Sequence, residues 1–124
     1  MIAISALSYN SWRNELSEQN RNIRYAGFEI IKETAKLQQF FDQTTFESEN
    51  HKSKLPIEGW VKIRLIQSLS VFMNIEVQNQ ANYLFSKWQD GWQKLKSNKK
   101  VNSDLSIIID NLVNEVRLEL SLLN

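Results

Sequence analysis

Apolar residues recur along most of this chain at intervals of three, four or seven, the spacing of one face of an α-helix. In the first third, the pattern predicts a helix that begins near Asn10 or Ser11, either of which can serve as an N-cap, and ends near Thr44. Polar residues at 19–22 leave two alternatives open, a continuous helix or one with a break there. The apolar stripe consists of Tyr9, Trp12, Leu16, Ile23, Ala26, Ile30, Leu37 and Phe41.

A second helix is predicted to begin at Pro56, since the first position of a helix has no need of the N–H group that proline lacks. Apolar residues occur on nearly every side of this helix, which is typical of a buried helix. We therefore expect it at the centre of the core. Its main stripe is Ile57, Val61, Leu65, Leu69 and Phe72, with Ile63, Ile66 and Met73 on other sides.

The phase of the apolar pattern slips near Asn74, which predicts a kink or short turn at residues 74–76. A straight helix could not keep the apolar residues before and after this point on one side. The slip therefore predicts a third helix that runs to about Ser97. Its stripe consists of Val77, Ala81, Leu84, Phe85, Trp88, Trp92 and Leu95.

Residues 97–103 are polar and predict a loop, after which a fourth helix begins. Asn102 or Ser103 is its predicted N-cap, and Asp104 is then favourably placed near the positive end of the helix dipole. The core stripe of this helix consists of Leu105, Ile108, Ile109, Leu112, Val116, Leu120 and Leu123.

Composition supports the same fold class. The 124 residues include only 3 glycines and 1 proline, too few turn formers for an all-β fold. This length is typical of one domain. We expect residues 1–124 to form a single all-α domain, a compact bundle of four to five helices.

Several features favour a cytoplasmic protein. The chain has no cysteine, which excludes a disulfide framework and a thiolate metal site. The N-terminal sequence lacks the basic region of a signal peptide, and its apolar run is interrupted by Ser5 and Ser8. No apolar run is long enough to span a membrane.

Positive charge is concentrated in the middle of the chain. Residues 52–100 carry nine basic and three acidic side chains, whereas the net charge of the whole chain is only +1. Residues 1–51 carry five basic and seven acidic side chains, and residues 101–124 carry one and four. A positive middle section flanked by acidic ends suggests an anionic partner for that section.

All five basic residues of the first predicted helix fall in one sector of the helix, together with Tyr25 and Phe28. Two interpretations are open. The sector can be a solvated face on which Lys32 and Lys36 pair with Glu29 and Glu33, or a basic stripe that follows a phosphate backbone. The basic residues are Arg13, Arg21, Arg24, Lys32 and Lys36.

A second basic cluster spans residues 87–100, which hold five lysines and one aspartate. Trp88 and Trp92 lie on the apolar stripe and are expected in the core. The last three lysines are predicted to lie at a helix C-terminus, where the dipole favours cations, and this explains part of the cluster. The remainder is compatible with binding to phosphate. The lysines are Lys87, Lys94, Lys96, Lys99 and Lys100.

The sequence indicates no catalytic, metal or cofactor site, so we expect a protein that is not an enzyme. The three glycines are isolated and form no phosphate-binding loop, and no nucleophile elbow occurs. His51 is the only histidine and falls in a predicted loop at residues 45–54, where we interpret it as a surface residue. Glu29 and Glu33 lie one turn apart, but without a Glu-x-x-His motif they are predicted to be surface residues.

A small all-helical chain with basic faces and no catalytic residues resembles the small subunit of type I CRISPR interference (Cascade) complexes. The resemblance covers the whole chain as an architecture and rests on the two basic clusters. It implies a non-catalytic subunit, stacked in several copies with other protein subunits, that supports the guide–target duplex or holds displaced single-stranded DNA. Tyr25 or Tyr83 would then stack on a base. The start of the chain at MIAISALS would fit translation from within a large-subunit gene, as occurs in that family.

A helical protein–protein adaptor or inhibitor, such as a phage- or plasmid-borne regulator, is the alternative. Three apolar residues, Ile107, Leu118 and Leu122, fall on the far side of the fourth predicted helix from its core stripe. They are candidates for a partner-binding patch in the adaptor and for subunit contacts in the complex.

Overall fold

The computed structural model describes residues 2–46 and 56–123, with side chains from residue 8 onward. These residues form four α-helices packed as a bundle, which confirms the predicted all-α fold. The helices are α1 (Ile2–Phe46), α2 (Ile57–Ser70), α3 (Ile75–Gly91) and α4 (Lys99–Ser121), and a 3₁₀ turn (Trp92–Lys94) follows α3.

Each helix packs on two neighbours, in the ring order α1, α2, α3, α4. Adjacent helices are antiparallel. Gln38 near the end of α1 donates a hydrogen bond of 2.8 Å to Ser106 near the start of α4. At the opposite end of the bundle, the backbone N–H of Asn74 donates a bond of 2.7 Å to the Glu119 carboxylate near the end of α4.

Trp88 lies at the centre of an aromatic core cluster. Its ring stacks on Phe41 at 5.6 Å between centroids and meets the edges of Phe40 at 6.1 Å and Trp60 at 5.9 Å. The predicted core stripes of α3 and α4 are largely confirmed. Their buried members are Val77, Ala81, Leu84, Trp88, Leu95, Leu105, Ile108, Ile109, Leu112 and Val116, while Phe85, Trp92, Leu120 and Leu123 are half-buried.

The helix α1 is continuous through residues 19–22 and begins at Ile2, so the predicted start at Asn10 or Ser11 is wrong. Residues 2–22 contain neither glycine nor proline, and the polar residues there are compatible with a helix. The predicted stripe is buried only from Ala26 onward. Its first members are exposed, because the first half of α1 extends beyond the end of the bundle. These are Tyr9, Trp12 and Leu16.

The prediction that α2 is buried on nearly every side is wrong. Of its predicted main stripe, Leu69 is half-buried and the other four residues are exposed. The buried face of α2 is instead Gly59, Ile63, Ile66 and Ser70. Two of these residues are small, so a pattern of large apolar side chains does not reveal the buried side. The exposed residues of the predicted stripe are Ile57, Val61, Leu65 and Phe72.

The turn predicted from the phase slip is present, at residues 71–74, slightly earlier than expected. Asn74 caps α3, because its side-chain oxygen accepts a hydrogen bond of 3.0 Å from the backbone N–H of Val77. The third helix ends at Gly91 and not near Ser97, since the chain tightens into the 3₁₀ turn there.

The fourth helix begins earlier than predicted. Asn98 is its N-cap and accepts a hydrogen bond of 2.9 Å from the N–H of Lys100, so Asn102 and Ser103 are not caps. Asp104 is likewise beyond the first turn. Lys99 and Lys100 lie in the first turn of α4, which corrects the prediction that they end a helix.

Asn102 is instead buried between α4 and α1. Its amide nitrogen donates hydrogen bonds to Asp42 at 3.1 Å and to Thr45 at 3.2 Å. A buried polar group that loses its partner costs about 1–3 kcal/mol. Asn102 therefore joins the start of α4 to the end of α1.

We expect Asn102→Ala to lower the free energy of unfolding by about 2 kcal/mol, because Thr45 and Asp42 each lose a hydrogen bond. Urea unfolding followed by circular dichroism measures this loss. The matched control is the neighbouring exposed residue, Ser103→Ala, which should change the free energy by less than about 0.5 kcal/mol. Similar losses for both variants would contradict the buried role of Asn102.

The predicted loop at residues 45–54 is described only in part. Thr45 and Phe46 belong to α1, whereas the other residues, including His51, lie outside the described residues. In the described parts of the chain, no helix combines the length and the apolar character that crossing a membrane requires.

Candidate nucleic-acid interface

The five basic residues of α1 are all exposed, and the unbroken helix keeps them in register. Arg13 and Arg21 lie on the half of α1 that extends beyond the bundle. Arg24 lies where α1 enters the bundle, just before the buried Ala26. Lys32 and Lys36 lie on the packed half.

Both lysines of this stripe are paired with glutamates one turn earlier. Lys32 donates a hydrogen bond of 3.1 Å to Glu29, and Lys36 donates one of 3.4 Å to Glu33. The bond to Glu29 raises the pKa of Lys32 above its ordinary value. This part of the stripe therefore matches the interpretation of a solvated face with paired charges.

Glu33 is buried, which corrects the prediction of a surface residue. Its second carboxylate oxygen lies 3.9 Å from the ammonium group of Lys62 on α2. A buried carboxylate requires such partners. The sequence did carry a signal, since Glu33 lies seven residues after Ala26 and seven before Phe40, both of which are buried.

Three lysines of the second cluster line one open groove of about 250 Å³ between the end of α3 and the start of α4. Lys87 comes from α3, Lys94 from the 3₁₀ turn and Lys100 from the first turn of α4. Among the described residues, no ion pair joins these three ammonium groups to a carboxylate. Asp90 and Asp104 also line the groove, so its cations outnumber its carboxylates by one.

The other two lysines of the cluster lie outside this groove. Lys96 is exposed after the 3₁₀ turn. The ammonium group of Lys99 lies 5.9 Å from the centre of the Phe46 ring, at the end of α1. The sequence predicted the cluster as a whole. It did not predict which lysines line the groove and which lie outside it, because the 3₁₀ turn separates these side chains.

Arg13 and Arg21 of α1 lie at the end of the bundle opposite to the groove. The groove is at the end where α1 finishes, since Thr45 donates a hydrogen bond of 2.9 Å to the Leu95 carbonyl. Arg21 lies about 37 Å from Phe46 along α1, at about 1.5 Å per residue. The structure therefore presents two separate basic surfaces.

Both tyrosines that were candidates for base stacking are exposed, Tyr25 by 64% and Tyr83 by 49%. Tyr83 lies one turn before Lys87, whose ammonium group is 5.6 Å from the centre of the tyrosine ring. Tyr83 is not among the residues that line the groove, but it lies beside Lys87, which is. An exposed aromatic ring next to a cation is a combination that binds single strands in other proteins.

Within the described residues, no group of three or more histidine, cysteine, aspartate or glutamate side chains could hold a metal ion. Comparison of the chain with protein-family models, with curated proteins and with solved structures found no match.

Proposed function

We propose that this chain is a non-catalytic, cytoplasmic nucleic-acid-binding subunit. Its groove at Lys87, Lys94 and Lys100 holds the phosphate backbone of a single DNA strand or of a guide–target duplex. The observation that carries the proposal is that three lysines line one open groove and have no ion-pair partner among the described residues.

Helix electrostatics supports this choice of surface. Lys99 and Lys100 occupy the first turn of α4, where the positive end of the helix dipole disfavours cations. A phosphate at the groove would interact favourably with both the lysines and the dipole. The lysines of α1, by contrast, already pair with glutamates.

Binding would be electrostatic and largely independent of sequence. Each phosphate that a lysine neutralises releases counterions, so affinity falls as salt increases. Tyr83, next to Lys87, would add a stacking contact with one base, worth about 1–3 kcal/mol. Asp90 and Asp104 would keep the strand on the lysine side of the groove by repelling phosphate.

We place this activity in an RNA-guided CRISPR effector complex, in the role of the small subunit. The all-α bundle and the separate basic surfaces at its two ends support this placement. In that setting, several stacked copies would extend one groove into the next, and the bound strand would favour the opened DNA over the closed duplex.

The test is fluorescence anisotropy of labelled single- and double-stranded DNA and RNA at several salt concentrations. We expect single-strand binding with a slope of log affinity against log salt of about −2, since three phosphates contribute about −0.7 each. Reversal of Lys87, Lys94 and Lys100 to glutamate should abolish binding. Absence of binding at low salt would contradict the proposal.

A charge-matched control distinguishes binding at this groove from general electrostatic attraction of nucleic acid to the protein surface. Lys94→Glu, in the groove, should weaken binding, whereas Arg117→Glu, on the exposed side of α4, should leave it nearly unchanged. The double variant Arg13→Glu and Arg21→Glu tests the α1 surface separately. Equal weakening by Lys94→Glu and Arg117→Glu would show that the groove has no special role.

A helical adaptor is the second candidate, and the surface of α4 favours it. Ile107, Leu118 and Leu122 are 58%, 55% and 72% exposed, as predicted, and they lie along one side of this helix. Under this proposal Leu118→Lys would abolish capture of a partner protein, and reversal of the three groove lysines to glutamate would leave that capture intact. For the nucleic-acid-binding subunit, reversal of the groove lysines should abolish binding of nucleic acid, and Leu118→Lys should leave that binding intact.

A further inference from the structure

The first half of α1 carries an apolar stripe that no other part of the described chain covers. Every side chain from Ser8 to Gln19 is exposed. Tyr9 and Trp12 are each 57% exposed and Leu16 is 39% exposed. Their spacing of three and four residues places them on one side of the helix.

This stripe continues the core-facing side of α1 without a change of phase. Ile23 follows Leu16 by seven residues and is half-buried, and Ile30 follows after seven more and is fully buried. An isolated amphipathic helix is marginal in water, because helices in proteins are stabilised mainly by packing of the apolar side. The extended half of α1 therefore requires a partner surface.

The outer side of α2 offers such a surface on the same chain. Ile57, Val61 and Leu65 are 61%, 59% and 41% exposed and lie on one side of the helix, and Phe72, 56% exposed, follows in the turn after it. From Ile57 to Ser70 the helix is about 20 Å long, at about 1.5 Å per residue.

The two apolar sides match in length and in spacing. From Tyr9 to Ile23 the α1 stripe is about 21 Å long. When Trp12 is placed beside Val61 in a parallel alignment, Leu16 comes level with Leu65 and Gln19 with Ser68.

We propose that two copies of this chain form a closed two-fold dimer, in which the extended half of α1 of each copy packs on the outer side of α2 of the other. Because every copy carries both surfaces, a reciprocal exchange covers all of them and leaves no open end. The ends of the two bundles then face each other. This proposal does not depend on the proposed function.

Cysteine pairs test the arrangement directly, since the chain has no cysteine of its own. Gln19 lies in the α1 stripe between Leu16 and Ile23, and Ser68 lies on the α2 side between Leu65 and Phe72; both are exposed. Under oxidising conditions, a mixture of Gln19→Cys and Ser68→Cys should give a disulfide-linked dimer that contains one of each. A disulfide dimer from Gln19→Cys alone would show that the α1 halves pair with each other and would overturn the arrangement.

Sedimentation over a range of concentrations tests the dimer without cross-links. Trp12→Lys and Val61→Lys should each raise the dimer dissociation constant by at least about 100-fold, because each dimer loses two buried contacts. The matched control is Ile107→Lys, since Ile107 is 58% exposed and lies outside both surfaces. A monomeric parent chain, or an equal effect of all three changes, would overturn the proposal.

Discussion

Replacement of Trp88 by alanine is expected to lower the free energy of unfolding by about 3–5 kcal/mol, the largest loss that we expect from any single truncation in this bundle. Trp88 is 1% exposed. Its ring contacts Phe40 and Phe41 of α1 and Trp60 of α2, so it joins three helices. Each aromatic pair contributes about 0.5–1.5 kcal/mol in addition to the burial of apolar area.

Urea unfolding followed by far-ultraviolet circular dichroism measures this loss without depending on tryptophan fluorescence. The matched control is Trp12→Ala, measured at a protein concentration low enough for the chain to be monomeric. Trp12 is 57% exposed, and its truncation should cost less than about 0.5 kcal/mol in the monomer. Equal losses for the two variants would contradict the assignment of Trp88 to the core and of Trp12 to the surface.

The contrast between these tryptophans shows what apolar periodicity can predict. The pattern correctly grouped Trp12 with the apolar side of α1 and Trp88 with the apolar side of α3. It could not identify what each side packs against, because that depends on where the neighbouring helices end. The bundle ends near Gly27, at which Leu120 of α4 packs, so Trp12 lies beyond it.

In α3 and α4 the core could be predicted because the large apolar side chains are also the buried ones. In α2 they are not, since Gly59 and Ser70 occupy buried positions and Val61 and Leu65 do not. A glycine on the buried side leaves room for a ring from another helix. Here that ring belongs to Trp88 of α3, so the local sequence around Gly59 gives no sign of the contact.

Polar residues were harder to place than apolar ones. Asn98, Asn102 and Ser103 all have the chemistry of an N-cap, and a local rule cannot choose between them. The choice depends on Asp42 and Thr45, which hold Asn102 inside the bundle from sixty residues away. Asn98 then becomes the residue that caps α4.

The candidate site could be predicted only in part, because its geometry depends on contacts between helices. The lysine cluster at residues 87–100 is visible in the sequence as a run of charge. Its geometry is not, because Lys87 and Lys100 meet only after the chain has turned from α3 into α4. The burial of Glu33 and its contact with Lys62 likewise depend on the packing of α1 against α2.

Addition of a single methyl group at Gly59 is expected to destabilise the bundle by about 3 kcal/mol. A Cβ atom on Gly59 would lie 2.5 and 2.6 Å from two ring atoms of Trp88 and 3.0 Å from Phe40. Neither ring can move aside, because both are buried in the core. Glycine to alanine inside a helix normally stabilises it by about 1 kcal/mol, so the expected sign is reversed here.

Gly27→Ala is the matched control for Gly59→Ala. A Cβ atom on Gly27 would lie 2.9 Å from the end of the flexible Leu120 side chain, which can rotate away. The free energy of unfolding of this variant should stay within about 1 kcal/mol of that of the parent chain.

A second measurement identifies the cause of the Gly59 effect. In a Trp88→Ala background only the 3.0 Å contact with Phe40 remains, so Gly59→Ala should destabilise much less than in the parent chain. Strictly additive losses would show that the ring of Trp88 is not the reason for the glycine.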